Sequence, residues 1–275
     1  MPRISVGIAS LMLAYMLSQF YRAFLAVLTP VLGEELGATP DDLALSSGLW
    51  FIAFAVMQIP VGAALDRIGP RLTVALMLGI GGGLGAAIFA MAQAPWHLHL
   101  AMLLLGVGCA PALMGPYYII AREYPASVFG KMAGMVVGVG SLGNILGAAP
   151  LVRLIEAVGW RPTLWLLAAI TVAAALLITA SVRDPAKLGG DHPKGSLAEV
   201  LRIRALWFIL PLFFVNYAAA AAIRGLWAAP YLEQVFGAEA GTIGLMGGLI
   251  GVLSGWSMGK LIDFFIRQWA LQQQA

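Results

Sequence analysis

Apolar positions in this chain do not alternate with polar ones. They run together in eight blocks separated by short polar breaks, near residues 7–32, 44–64, 71–93, 97–121, 129–152, 162–182, 205–232 and 241–263. A helix that crosses a bilayer takes about 20 predominantly apolar residues, and each block is that long. The pattern predicts an all-α fold, a polytopic transmembrane helical bundle of about eight helices. The first run continues from Arg3 past any small-residue cleavage site to about Leu32, so it is expected to stay as the first helix rather than leave as a signal peptide. One connection is long and polar, with Pro185, Pro193, Gly189, Gly190 and Gly195. It divides the chain into an N-terminal six-helix bundle (1–183), a cytoplasmic linker (184–204) and an incomplete C-terminal bundle of two helices (205–275).

Composition agrees with a lipid environment. The 275 residues are 61% hydrophobic and 11% charged, with a mean hydropathy of +0.90. A soluble domain carries about 25% charged residues, so this chain has too few to cover a water-facing surface. The net charge of +3 does not point to nucleic acid, because the basic residues are spread over short loops instead of forming one patch. Their placement sets an orientation through the positive-inside rule. With the N-terminus in the cytoplasm, twelve of the 16 fall inside: Arg3, Arg67, Arg71, Arg122, Lys131, Arg183, Lys187, Lys194, Arg202, Arg204, Lys260 and Arg267. Only Arg153 and Arg161 fall outside. An even number of spans returns the C-terminus to the cytoplasm, and the expected location is the cell inner membrane.

Catalytic inventories come up short. Cys109 stands alone in an apolar block, which leaves no disulfide and no cysteine-based zinc site. His97, His99 and His192 lie in loops or at a helix edge, and no Ser/His/Asp grouping or metal cluster is visible. The glycines of the third block, Gly79 to Gly85, have no preceding strand and no following Lys-Ser/Thr, so they read as packing and not as a phosphate cradle. No cofactor is expected, and the chain does not read as an enzyme.

Two basic residues are left, and both are inside blocks. An arginine in the bilayer core costs at least ~2.5 kcal/mol, so it normally faces a cavity or a partner. Around Arg22, the residues Tyr15, Ser18, Gln19 and Thr29 recur at helical spacing; around Arg224, Asn216, Trp227 and Tyr231 do the same. Their surroundings also repeat. Arg22 precedes Pro30, Leu32 and Gly37, while Arg224 precedes Pro230, Leu232 and Gly237; Gly62–Asp66 closes block two as Gly259–Asp263 closes block eight. Blocks one and two thus resemble blocks seven and eight, as in transporters built from parallel repeats.

The stretch Gly62-Ala-Ala-Leu-Asp66-Arg67-Ile-Gly69-Pro70-Arg71 resembles the motif Gly-x-x-x-Asp-Arg-x-Gly-Arg-Arg between helices two and three of the major facilitator superfamily, with Pro70 in place of one arginine. Block five, with Gly138, Gly140, Gly143, Gly147 and Pro150, has glycine spacing like that family's fifth helix. The second copy of the loop motif lacks its Gly-Arg-Arg ending, and block four lacks the arginine found in many proton-coupled members. The family usually has twelve helices, so the eight blocks read as the front two-thirds of such a protein.

The resemblance implies alternating access around a midplane site and a conformational latch formed by Gly62, Asp66, Arg67, Gly69 and Arg71. A solvated loop that only fixes topology is the plainer alternative. It also resembles the organophosphate, organic-anion and nitrate-transporting branches, in which helices one and seven each supply a basic ligand. Arg22 and Arg224 would then hold a small anionic substrate, with Tyr15, Gln19, Asn216, Trp227 and Tyr231 beside them. Tyr117 and Tyr118 would form a wall or simply pack, and Trp50, Gln58 and Asn144 are weaker candidates of the same kind. Against this stand three alternatives: pairing of each arginine with Glu34, Glu35 or Glu233, export of apolar compounds, and a non-transporting membrane scaffold.

Overall fold

The computed structural model describes residues 5–186 and 201–222, together with Val235 and Gly237. It is helical throughout these residues, with six helices long and apolar enough to cross a membrane: α1 Val6–Leu36, α2 Pro40–Arg67, α3 Pro70–Ala90, α4 Pro95–Glu123, α5 Ala126–Leu146 and α6 Trp160–Ser181. They correspond to the first six apolar blocks. A seventh helix, α7 Arg204–Ala222, opens the next block; the eighth block lies outside the described residues. Two compact units are present, one including residues up to Pro185 and the other beginning at Ala186.

Helix ends are set by local chemistry. The Ser5 hydroxyl accepts the Ile8 N–H to cap α1, and Gly37, at φ 64°, ends it in the left-handed conformation. Thr39 and Asp42 form a reciprocal capping box at the start of α2. At the opposite end of the bundle, Gly69 (φ 105°) turns the chain sharply between α2 and α3.

Four of the six spans are irregular inside. α2 is interrupted at Met57, three residues before Pro60, and α3 holds a π-helical turn over Met77–Gly83. α4 breaks over residues 110–113 around Pro111. α5 stops after Leu146, and a short helix, Ala149–Val158, continues the span beyond it. Proline has no N–H for the carbonyl four residues back, and its ring crowds that carbonyl. Across the breaks the Gln58 side chain donates to the Phe54 carbonyl at 2.9 Å and to the Ala110 carbonyl at 3.5 Å, which ties the break in α2 to that in α4.

α1 runs through the middle of the six-helix unit. Tyr21 on α1 donates to the Thr171 hydroxyl at 2.7 Å, because the Thr171 hydrogen is already committed to the Leu167 carbonyl. Gly143 lets α5 cross α1 backbone to backbone; a Cβ there would overlap the Met16 carbonyl. At the end where α1 finishes, the Trp160 indole donates to Glu35 at 2.9 Å, and Arg161 donates to the Ala90 and Ala92 carbonyls at the close of α3.

Candidate functional site

Arg22 stands near the middle of the 31-residue α1, where a bilayer-spanning helix is deepest. It is half-buried, and two rings of α2 flank its guanidinium: Trp50 at 5.0 Å and Phe54 at 4.8 Å from centroid to guanidinium carbon. Those rings are one helical turn apart and stack on each other at 5.1 Å. Charge over aromatic faces in a desolvated setting is worth about 2 kcal/mol, and the stacked pair leaves the guanidinium little freedom to rotate. The sequence pattern points to Trp50 only weakly and to Phe54 not at all. The available signal was their four-residue spacing, with Gln58 four further on, which places all three on one face of α2.

The carboxylates at the end of α1 are remote from this arginine. Glu34 and Glu35 lie twelve and thirteen residues further along the helix, about 18 and 20 Å at 1.5 Å per residue. Glu35 is also engaged elsewhere, with Trp160 and, at 3.8 Å, with Arg161. Pairing of Arg22 with either residue is excluded by distance.

Tyr15 and Gln19 continue the polar stripe on α1, with the Gln19 amide donating to the Tyr15 hydroxyl at 3.2 Å. Tyr117 of α4 packs against the same apolar cluster as Tyr15, near Met132 and Val136 of α5. Ser18 is buried in the same stretch of α1, as is Cys109 on α4. Tyr118 sits elsewhere. The Arg122 guanidinium lies over its ring at 4.1 Å and also meets Asp66 at 3.5 Å, so Tyr118 belongs with the loop motif at the end of the bundle. Asn216 lies on α7, in the other compact unit; Arg224, Trp227 and Tyr231 are outside the described residues.

The loop motif has gained two partners that sequence reading did not assign. Arg122 on α4 is the partner of Asp66. Asp184, placed by the sequence in the linker, accepts the Arg71 backbone N–H at 2.8 Å, while the Arg71 side chain donates to the Thr179 carbonyl at 2.7 Å. A carboxylate at the N-terminus of α3 suits the positive end of that helix. Gly69 is required twice here, by its left-handed backbone and by the Asp184 carboxylate 2.6 Å from where a Cβ would stand. Gly62 meets open space, and Arg67 is exposed.

At the other end, Asp42, Ser46 and His99 do come together, a grouping the sequence did not suggest. His97 and His99 are at the helix edge, in the first turns of α4. The Ser46 hydroxyl, fully buried, donates to the Asp42 carbonyl and so accepts from His99 Nδ1 at 2.8 Å. That serine is locked as a tie between α2 and α4. Among the described residues no cluster of three metal-ligating side chains occurs.

A bundle of this form, with a loop motif pinned to its neighbours, has a close match among sequence families. The sequence model of the Major Facilitator Superfamily matches residues 11–271. The chain belongs to that superfamily. Among its relatives is a quinolone resistance transporter of Acinetobacter baumannii, 29% identical over 177 residues, which are 62% of this chain and 40% of the relative. A probable L-galactonate transporter of Escherichia coli is 22% identical over 284 residues, 95% of this chain and 61% of the relative. In fold, the chain is similar to a bacterial homologue of the human lysosomal transporter Spinster, with a TM-score of 0.67 and 21% identity over 90% of this chain and 58% of that one. The chain therefore spans less than two thirds of the length of each.

Proposed function

We propose that this superfamily member is a secondary transporter that moves a small organic or inorganic anion by alternating access. The observation that carries the reading is Arg22, a guanidinium at mid-membrane depth oriented by the rings of Trp50 and Phe54. Guanidinium groups bind carboxylate and phosphate through paired N–H bonds, and low polarity around the group strengthens them. Tyr15, Gln19 and Tyr117 supply further polar groups, and Arg224, with Asn216, Trp227 and Tyr231, is the counterpart from the sister helix. The L-galactonate relative supports an anionic, carboxylate-bearing substrate.

The accompanying proposals are an inner-membrane location with both termini cytoplasmic, a six-helix domain over 1–183 joined by the 184–204 linker to helices from 205 onward, and a latch of Gly62, Asp66, Arg67, Gly69 and Arg71. With no nucleotide-binding loop in the sequence, the driving force is an ion or counter-substrate gradient. A second reading, export of apolar compounds, is favoured by the quinolone-resistance relative.

The two readings separate in one experiment. The purified full chain is screened by thermal shift against phosphates, carboxylates, nitrate and sugars, and then again as Arg22→Gln and Arg224→Gln. Stabilisation by an anion that both variants lose is the expected result. Anion binding unchanged in the variants, with retained efflux of quinolones by cells, would favour the second reading.

A further inference from the structure

Behind α1, away from Arg22, the helices do not close. A cavity of about 240 Å³ lies between α1, α5, the Ala149–Val158 helix and α6. Met16, Phe20, Leu154 and Leu167 are among the residues that line it, and every lining residue is apolar or glycine. At 100° per residue the α1 lining positions (13, 16, 17 and 20) point about 160° away from Tyr15, Ser18, Gln19 and Arg22. The cavity and the polar stripe are thus on opposite faces of one helix.

Its origin is local. Gly143 brings α5 against the α1 backbone, but Pro150 cannot donate to the Leu146 carbonyl, so α5 ends and the chain turns at Gly147 and Ala148. The helix resumes after the step, and the side chains that line the gap from its two segments, Leu146, Pro150, Leu151 and Leu154, do not fill it. Three residues at its mouth, Leu146, Pro150 and Ile170, are exposed on the side of the bundle. Leu146 and Ile170 belong to membrane spans, so what reaches this mouth is the hydrocarbon of the bilayer. Water is a poor occupant, since it needs two to four polar partners, whereas an apolar cavity of about 150 Å³ stays dry and takes up benzene.

We infer that this cavity is a binding site for one acyl chain of a membrane phospholipid, which enters sideways between α6 and the step after α5. The chain packs against the back of the helix whose front carries Arg22. The site stands independently of what the transporter moves.

The test uses the full chain in nanodiscs containing a phosphatidylcholine with a diazirine at mid-chain; adducts are mapped by mass spectrometry after photolysis. The expected result is labelling at Met16, Leu146, Leu154 and Ile170 about fivefold above the exposed apolar positions Ile52, Ile80 and Leu176. Leu154→Trp and Ile170→Trp, which fill the cavity, abolish the excess and leave labelling at Ile52 and Ile80 unchanged. Wild-type labelling no higher at the cavity than at those three positions would overturn the inference, whether or not the variants fold. So would an excess that persists in both filled variants.

Discussion

Arg22 is costly to keep in a membrane, and the groups around it show how the cost is offset. Trp50 and Phe54 provide apolar bulk that excludes lipid and water together with negatively polarised ring faces that attract the charge. If they orient the guanidinium for an anion, then Trp50→Leu and Phe54→Leu should each weaken anion affinity about tenfold, the equivalent of ~1.4 kcal/mol. Trp50→Phe, which keeps a ring face, should stay within about threefold of wild type. Calorimetric titration of the purified chain reads both, and equal losses in Trp50→Leu and Trp50→Phe would reduce the rings to packing. Asp184 is the other residue with a defined task, since it satisfies a backbone N–H at the start of α3. Asp184→Ala should lower stability by about 1 kcal/mol, the usual loss for a helix cap, while Asp184→Asn should lose less; denaturation midpoints in detergent measure the difference.

The irregular helices are where sequence and structure differ most usefully. Breaks occur near prolines 60, 111 and 150, none of which the apolar pattern marks as a break. What each break does depends on its neighbours. Gln58 spans two of them, and the step at Gly147–Ala148 opens a cavity. The glycines of α5 read as a packing signal, and Gly143 carries the closest crossing, against the Met16 carbonyl. Gly143→Val must push α5 from α1, so it should cost about 1–3 kcal/mol or more and lower the thermal midpoint. Gly62→Ala, in open space, should leave the midpoint within about 1 °C and serves as the control for glycine loss itself.

Over the whole six-helix unit, charged side chains gather at the two ends and tie the helices together. Asp66, Arg122 and Tyr118 join α2 to α4, and Asp184 and Arg71 join α6 to α3. At the other end Glu35, Trp160 and Arg161 join α1, α3 and α6, and Asp42, Ser46 and His99 join α2 to α4. These ties make the unit suited to move as one body, as rocking-bundle transport requires. If the loop motif acts as a latch on that motion, Asp66→Asn should cut transport several-fold while anion affinity stays within about twofold, because Asp66 is far from Arg22 along the bundle. Paired uptake and binding assays check this; a matching fall in both would assign Asp66 to stability instead.

The sequence by itself determined the spans, the all-α class, the loop motif that marks the superfamily, and the presence of an arginine midway along α1. Each is a local property: run length, residue spacing, or one charge in an apolar block. Only the tertiary structure decided that Arg22 lies under Trp50 and Phe54, that Arg122 and Asp184 hold the loop motif, that Tyr118 joins that cluster and not the stripe, and that an apolar cavity lies behind α1. The reason is that in lipid both the packed face and the outer face of a helix are apolar. Periodicity therefore cannot say which residues meet, and the crossing of the helices does.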